Sequence, residues 1–250
     1  MDKRRIEVVG KWGEGWQLVG EWKPHTIGPE NASDLVEGYL RFLNATCNYS
    51  PGVGAIGLDV GAGAGYLAGA FSKHGIDMVA SEWSDAGIDL IKRENPELKT
   101  HKLDVLDYCA PNAWDLIFCR ELYPLTRVNA FTDQAAIISR LVDSLKPGGM
   151  LLLVASDVSS PNCLDQKLLV RMARRDPRIS CVTGMYPEAL IRRLQPRILG
   201  RFWYWLVSSV LSPLVAYKKR RGWAAIYVIG LRKTARPDQP VTHNQSLGGD

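Results

Sequence analysis

The residues best placed to do chemistry in this 250-residue chain are the glycines of GLDVGAGAGY, where Asp59, Gly61, Gly63 and Gly65 are spaced D-x-G-x-G-x-G. Glycine at alternate positions lets a backbone turn sharply and admits a ligand against the main chain where a β-carbon would push it away. A dinucleotide fingerprint, G-x-G-x-x-G, needs its third glycine where the following helix packs closely. Counted from Gly61 and Gly63 that place is Tyr66; counted from Gly63 and Gly65 it is Ala68, a tolerated substitute. The dinucleotide reading is weakened by this and left open. The Tyr-x-x-x-Lys pair that many reductases need is missing, because Tyr108, Tyr123 and Tyr186 are followed four residues later by Asn112, Arg127 and Leu190. The five cysteines (Cys47, Cys109, Cys119, Cys163, Cys181) show no zinc-like spacing. They are expected to be reduced core or near-core thiols.

Alternating elements must position that loop. ENASDLVEGYLRFLNAT carries Val36, Tyr39, Leu40 and Leu43 at helical spacing, with Ser33 or Asn31 as N-cap. AIGLDVG (55–61) is a short apolar strand running into the glycines, and YLAGAFSKHG (66–75) is the helix after them. DMVASE (77–82), THKLDV (100–105), WDLIFC (114–119) and MLLLVAS (150–156) predict four further strands, with helices at SDAGIDLIKREN and FTDQAAIISRLVDSL between them and a turn at Lys146–Gly149. Strands alternating with helices of this length indicate an α/β fold, a parallel sheet wound on both faces. Beyond residue 157 the pattern predicts helices at 164–175 and 187–195 and a last strand at 223–233. The expected organisation is one domain over 1–235, with an N-terminal lead-in and helical cap (1–50), a donor-binding half (51–157) and an acceptor-side half (158–235), then a disordered tail (236–250).

In motif order, residues 55–156 resemble the class I S-adenosylmethionine-dependent methyltransferases. The glycine loop comes first; Glu82 then ends the second strand, Asp104 the third, AWDLIFCREL matches the fourth and LKPGGMLLLV the turn into the fifth. The resemblance implies a doubly wound, mostly parallel, seven-stranded sheet with its last strand antiparallel, and S-adenosylmethionine as cofactor. It also implies that Asp59, Gly61, Ala62, Gly63 and Gly65 form the donor loop and that Glu82 takes the two ribose hydroxyls. Trp83 would flank the adenine, Asp104, for which Asp107 competes, would meet the adenine amino group, and Val105 would lie beside it. Cys119 and Arg120, at the end of the fourth strand, would face the donor. Asp115 reads as structural. The residues after that strand usually face both substrates, so Glu121 and Tyr123 are candidate acid or base groups, with His25 as a third. Methyl transfer is an in-line displacement from an activated donor, so alignment and exclusion of water carry most of the burden, and a base is needed only for a poor nucleophile.

No [DN]-P-P-[YF] sequence grips an amine and no Pro-Cys pair occurs, which favours O-methylation of a small-molecule or glycan acceptor, with an RNA methyltransferase, a reductase or a non-catalytic donor-binding module as alternatives. The net charge of +5 is uneven: residues 1–150 hold 15 Lys and Arg against 20 Asp and Glu, and 151–250 hold 16 against 6. The basic part contains FWYWLVSSVLSPLVAY (202–217) and Lys218–Arg221, which reads as core or substrate lid, as a membrane-surface contact through 202–221 toward a lipid-linked acceptor, or, less favoured, as a nucleic-acid face. Sixteen residues fall short of the roughly 20 that span a bilayer. With no secretory signal pattern at the N-terminus, the expected location is the cytoplasm, in solution or at a membrane surface. No metal site is expected, and the sequence is silent on oligomeric state.

Overall fold

The computed structural model describes residues 27–122, 124–125, 131–157, 165–193, 206 and 225–235. Fourteen elements lie among them, in the order α1 (Pro29–Cys47), β1 (Ile56–Val60), α2 (Tyr66–Lys73), β2 (Asp77–Glu82), α3 (Asp85–Glu94), β3 (Lys99–Lys102), β4 (Trp114–Arg120), α4 (Phe131–Ser144), β5 (Leu145–Asp157), α5 (Gln166–Ala173), β6 (Ile179–Val182), β7 (Tyr186–Pro187), α6 (Glu188–Arg193) and β8 (Ala225–Lys233). The sheet order is β3-β2-β1-β4-β5-β8-β6, with β7 also paired to β8. The pairs from β3 to β5 are parallel, and β8 is antiparallel to β5, β6 and β7. This is the mostly parallel α/β sheet with an antiparallel last strand that the alternation and the motif order imply.

The central strands are apolar on both sides because helices cover both faces. Leu116, Phe118, Leu152 and Val154 face one core, shared with Tyr39, Phe42 and Leu43 of α1 and Phe71 of α2. Ile117, Cys119, Leu151 and Leu153 face the other, with Ile137, Ile138 and Leu141 of α4 and Leu169 of α5. Successive residues of one strand thus enter opposite cores, as the period of two requires.

Several local expectations are corrected. Helix α1 begins with Gly28 as N-cap and Pro29 in its first turn, ahead of Asn31 and Ser33, since proline is preorganised for that place. Strand β3 ends at Lys102, before Asp104. The last ladder bond is Leu103 N–H to the Glu82 carbonyl, and the Asp104 carboxylate then accepts from Leu106 N–H at 2.9 Å, an Asx turn that carries the chain off the sheet. The turn expected at Lys146–Gly149 is absorbed into β5 as an irregularity, with Gly148 at φ +80°. Strands β6 and β7 occupy the outer side of β8, where the sequence suggested none. Cys47 and Cys181 form a disulfide with Cα atoms 5.8 Å apart, against the expectation of free thiols; Cys109 and Cys119 are free, and Cys163 lies outside the described residues.

Candidate active site

The site is assembled at the C-terminal ends of β1, β2 and β4. Where β1 ends, Gly61, Gly63 and Gly65 have φ of +74°, +60° and +81°, a region that costs an L side chain about 1 kcal/mol or more, and Gly65 is the N-cap of α2. Gly61 and Ala62 N–H both donate to the Ser81 carbonyl at 3.0 Å, and Gly65 N–H donates to the Ala62 carbonyl at 2.9 Å. The Ser81 hydroxyl donates to the Asp59 carbonyl at 2.8 Å. The loop is therefore pinned to β2 by main-chain bonds. A β-carbon at Gly65 would stand 3.1 Å from Leu98 and 3.2 Å from Ile91, whereas one at Gly63 would project into open space.

Two buried carboxyls flank this loop. Glu82 accepts from Gly63 N–H at 2.8 Å and is 6% exposed; Asp59, on the neighbouring strand, is 2% exposed. Burial pushes Glu82 up to about 7, with the N–H groups of Gly63 and Trp83 opposing the rise. Burial, then the charge of Glu82, pushes Asp59 up to about 8, opposed by the Ala68 N–H at the start of α2. Trp83 is half-buried directly after Glu82.

Asp104 is half-buried in its turn, and Val105 packs into the second core. Cys119 is buried, and desolvation holds its thiol well above the ordinary range, so it is not poised as a nucleophile. Glu121 is half-buried at φ +50°, its N–H donating to the Val154 carbonyl at 2.8 Å. Tyr123 and His25 lie outside the described residues, as does the 202–221 segment apart from Leu206.

The model of a family described as a methyltransferase domain matches residues 32–207, more than two thirds of the chain. The chain belongs to the class I S-adenosylmethionine-dependent methyltransferases. It is 28% identical over 151 residues to a ubiquinone biosynthesis O-methyltransferase of Albidiferax ferrireducens, 57% of this chain and 52% of that protein. To the protein of that name in Aliivibrio fischeri it is 27% identical over 161 residues, 59% of this chain and 58% of the relative. The chain thus spans a little over half the length of the curated relatives it matches. Among solved structures, the plantazolicin methyltransferase BpumL in complex with a desmethylPZN analog and SAH aligns with TM-score 0.62, at 14% identity over 92% of this chain and 95% of that one. The N-methyltransferase NodS of Bradyrhizobium japonicum aligns with TM-score 0.53, at 12% identity over 83% and 98%. At such identities the likeness is one of fold.

The residues of this chain fit the family's cofactor. The open space beside Gly63, at a φ that disfavours any side chain, is a cradle that a β-carbon would fill. Glu82, held at its rim by a main-chain N–H, supplies a carboxylate able to accept further hydrogen bonds.

Sequence reasoning did not find the partner of Arg120. Its Nε and one Nη donate to the two oxygens of Glu188 at 3.2 and 3.1 Å, and the Tyr39 hydroxyl donates to the same carboxylate. Arg120 is therefore held at the end of β4 by a carboxylate of α6 that α1 also bonds. Tyr39 was legible as a core position of α1 and Glu188 as the start of a helix. Nothing local signals that residues 149 apart meet.

Proposed function

We propose that this methyltransferase transfers a methyl group from S-adenosylmethionine to a hydroxyl of a small molecule. The observation that carries the reading is the Gly63 cradle with the Glu82 carboxylate at its rim. The backbone of 61–65 would hold the donor closely, Glu82 would accept its ribose hydroxyls, Trp83 would cover one face of the base, and Asp104 would meet the base edge. The bound donor supplies a methyl already activated on a sulfonium. The protein's part is to align the acceptor and keep water out. Glu121, whose backbone N–H bonds β5 at the end of β4, would take the hydroxyl proton. The names of the O-methyltransferase relatives support oxygen as the acceptor atom. Within that class we favour a glycan or lipid-linked acceptor, on the strength of the aromatic and basic composition of 202–221.

The cofactor is tested by calorimetry with S-adenosylmethionine against NAD; heat with NAD alone would overturn the reading. Tritiated methyl transfer into fractionated cell extract tests the acceptor: label in the aqueous small-molecule or lipid fraction agrees, and label confined to nucleic acid refutes it.

A pH dependence follows from Glu82. The donor's hydroxyls need the carboxylate, and the free protein holds this carboxyl at about 7. Below that value binding must expel a proton, so affinity falls as pH falls. Dissociation constants from calorimetry at pH 8 and pH 6 should differ by about tenfold, weaker at pH 6, since each unit below the pKa costs up to a factor of ten. Equal affinity at both values would remove Glu82 from the contact.

A further inference from the structure

We propose that Cys47 and Cys181 are a reversible thiol–disulfide site whose oxidation fastens α1 to the outer edge of the sheet, and so fixes the helix that carries Tyr39 to Arg120 and Glu188. The claim about the disulfide stands on the geometry below; naming the Tyr39 end of α1 the site end rests on the reading that the ends of β1, β2 and β4 form the active site.

Helix α1 lies across one face of the sheet. Its last residue is Cys47, and Cys181 is in β6, which among the described residues is an edge strand paired with β8. The Cα separation of 5.8 Å is within the range that a disulfide needs without backbone movement. Arg232 of β8, which donates to the Cys47 and Asn48 carbonyls at 2.9 and 3.1 Å, lies opposite Met150 near the start of β5. Cys47 is thus at the end of the sheet remote from the glycine loop. Tyr39, two turns earlier and roughly 12 Å up the helix axis, reaches the other end, where β4 finishes with Arg120. Beside Tyr39, Gly38 lets α1 approach α6 closely, since a β-carbon there would stand 3.2 Å from the Ile191 carbonyl oxygen.

Helix α1 is therefore tied at two ends by different chemistry. The Tyr39–Glu188–Arg120 network ties it at the site end, and the disulfide and Arg232 at the far end. The disulfide closes a loop of 134 residues, so cutting it frees a large part of the chain from one long-range constraint. Cys47 is buried and Cys181 half-buried, so an attacking thiolate would approach the pair from the Cys181 side. A small dithiol would break the S–S bond in two exchange steps. Its two thiols supply two electrons and two protons, Cys47 and Cys181 become thiols, and the dithiol closes its own disulfide. Glutathione disulfide, as oxidant, would reverse this by the same exchange.

The test uses the full chain equilibrated with glutathione disulfide or with dithiothreitol. Free thiols are alkylated after denaturation and mapped by peptide mass. In the oxidised sample, Cys47 and Cys181 should be protected and Cys109 alkylated; in the reduced sample all should be alkylated. Hydrogen exchange over 34–47 should be at least tenfold faster after reduction, because local opening of α1 no longer strains against the cross-link. Cys181→Ser should exchange at the reduced rate under both conditions, which separates the disulfide from other effects of the reductant. Alkylation of Cys47 and Cys181 in the oxidised sample, or unchanged exchange in α1, would overturn the proposal. Calorimetry with S-adenosylmethionine in both states distinguishes the two readings. Absence of heat in both states refutes the donor site and leaves the thiol result standing, whereas a donor affinity that changes tenfold with redox state contradicts an effect confined to α1.

Discussion

Glu82→Gln should bind S-adenosylmethionine at least tenfold more weakly than the unsubstituted protein, while becoming more resistant to denaturant at pH 8. The loss of affinity is on the order of 1.4 kcal/mol or more, the worth of a charge-assisted pair of hydrogen bonds to vicinal hydroxyls over neutral ones. The gain in stability follows from the direction of the shift. A carboxyl raised from 4.5 to about 7 binds its proton more tightly in the folded than in the unfolded chain. Its favourable contribution is thus complete below the unfolded value and is lost as pH rises through about 7. Glutamine keeps an oxygen for Gly63 N–H and has no proton to lose, so its stability should not decline over that interval. Calorimetric titration and urea denaturation at pH 5 and pH 8 measure both halves. Weaker binding without the gain at pH 8 would mean that Glu82 is better solvated than its 6% exposure indicates. Buried charge held at a stability cost, against a main-chain donor and beside an open cradle, is the usual mark of a binding site.

The glycine loop and the strands around it were legible because their constraints are local. Glycine at 61, 63 and 65 is written into the sequence by the positive φ that each adopts, and Asp115 was legible as structural, its carboxylate accepting from Ile56 N–H and Lys146. Apolar runs such as Leu116–Cys119 are visible because both faces are covered. What escaped depends on distance along the chain or on competing local bonds. Asp104 falls beyond β3 because its own carboxylate captures Leu106 N–H. Strands β6 and β7 are short and mixed in exposure, and they exist because β8, remote in sequence, offers its free edge. The Cys47–Cys181 bond and the Arg120–Glu188 pair span 134 and 68 residues, and no spacing rule reaches that far.

Among core truncations, Phe118→Ala should be among the most damaging, with a loss of about 3–5 kcal/mol in stability and a fall in Tm on the order of 10 °C. Phe118 is fully buried in β4, the strand between β1 and β5, with its ring centroid 5.2 Å from that of Phe71 and 5.7 Å from that of Tyr39. Phe71 belongs to α2, which starts at the glycine loop; Tyr39 belongs to α1, which carries the Glu188 contact. One side chain therefore joins the helix behind the donor cradle to the helix over Arg120, and removing it opens a cavity between two elements that do not share a strand. Ile56→Ala is the control, because Ile56 is 37% exposed and its loss should cost far less. Urea denaturation of both variants measures the difference. If Phe118→Ala lost less than about 1 kcal/mol, α1 and α2 would have to close over the gap, and α1 would not be held where the Tyr39 hydroxyl meets Glu188. At temperatures where the variant remains folded, donor affinity should stay within a few-fold of the original, since the loop is held by the bonds of Gly61 and Ala62 N–H to the Ser81 carbonyl and of Gly63 N–H to the Glu82 carboxylate, and not by the aromatic contact. A matched loss of stability and donor affinity would instead make the aromatic stack part of the cradle.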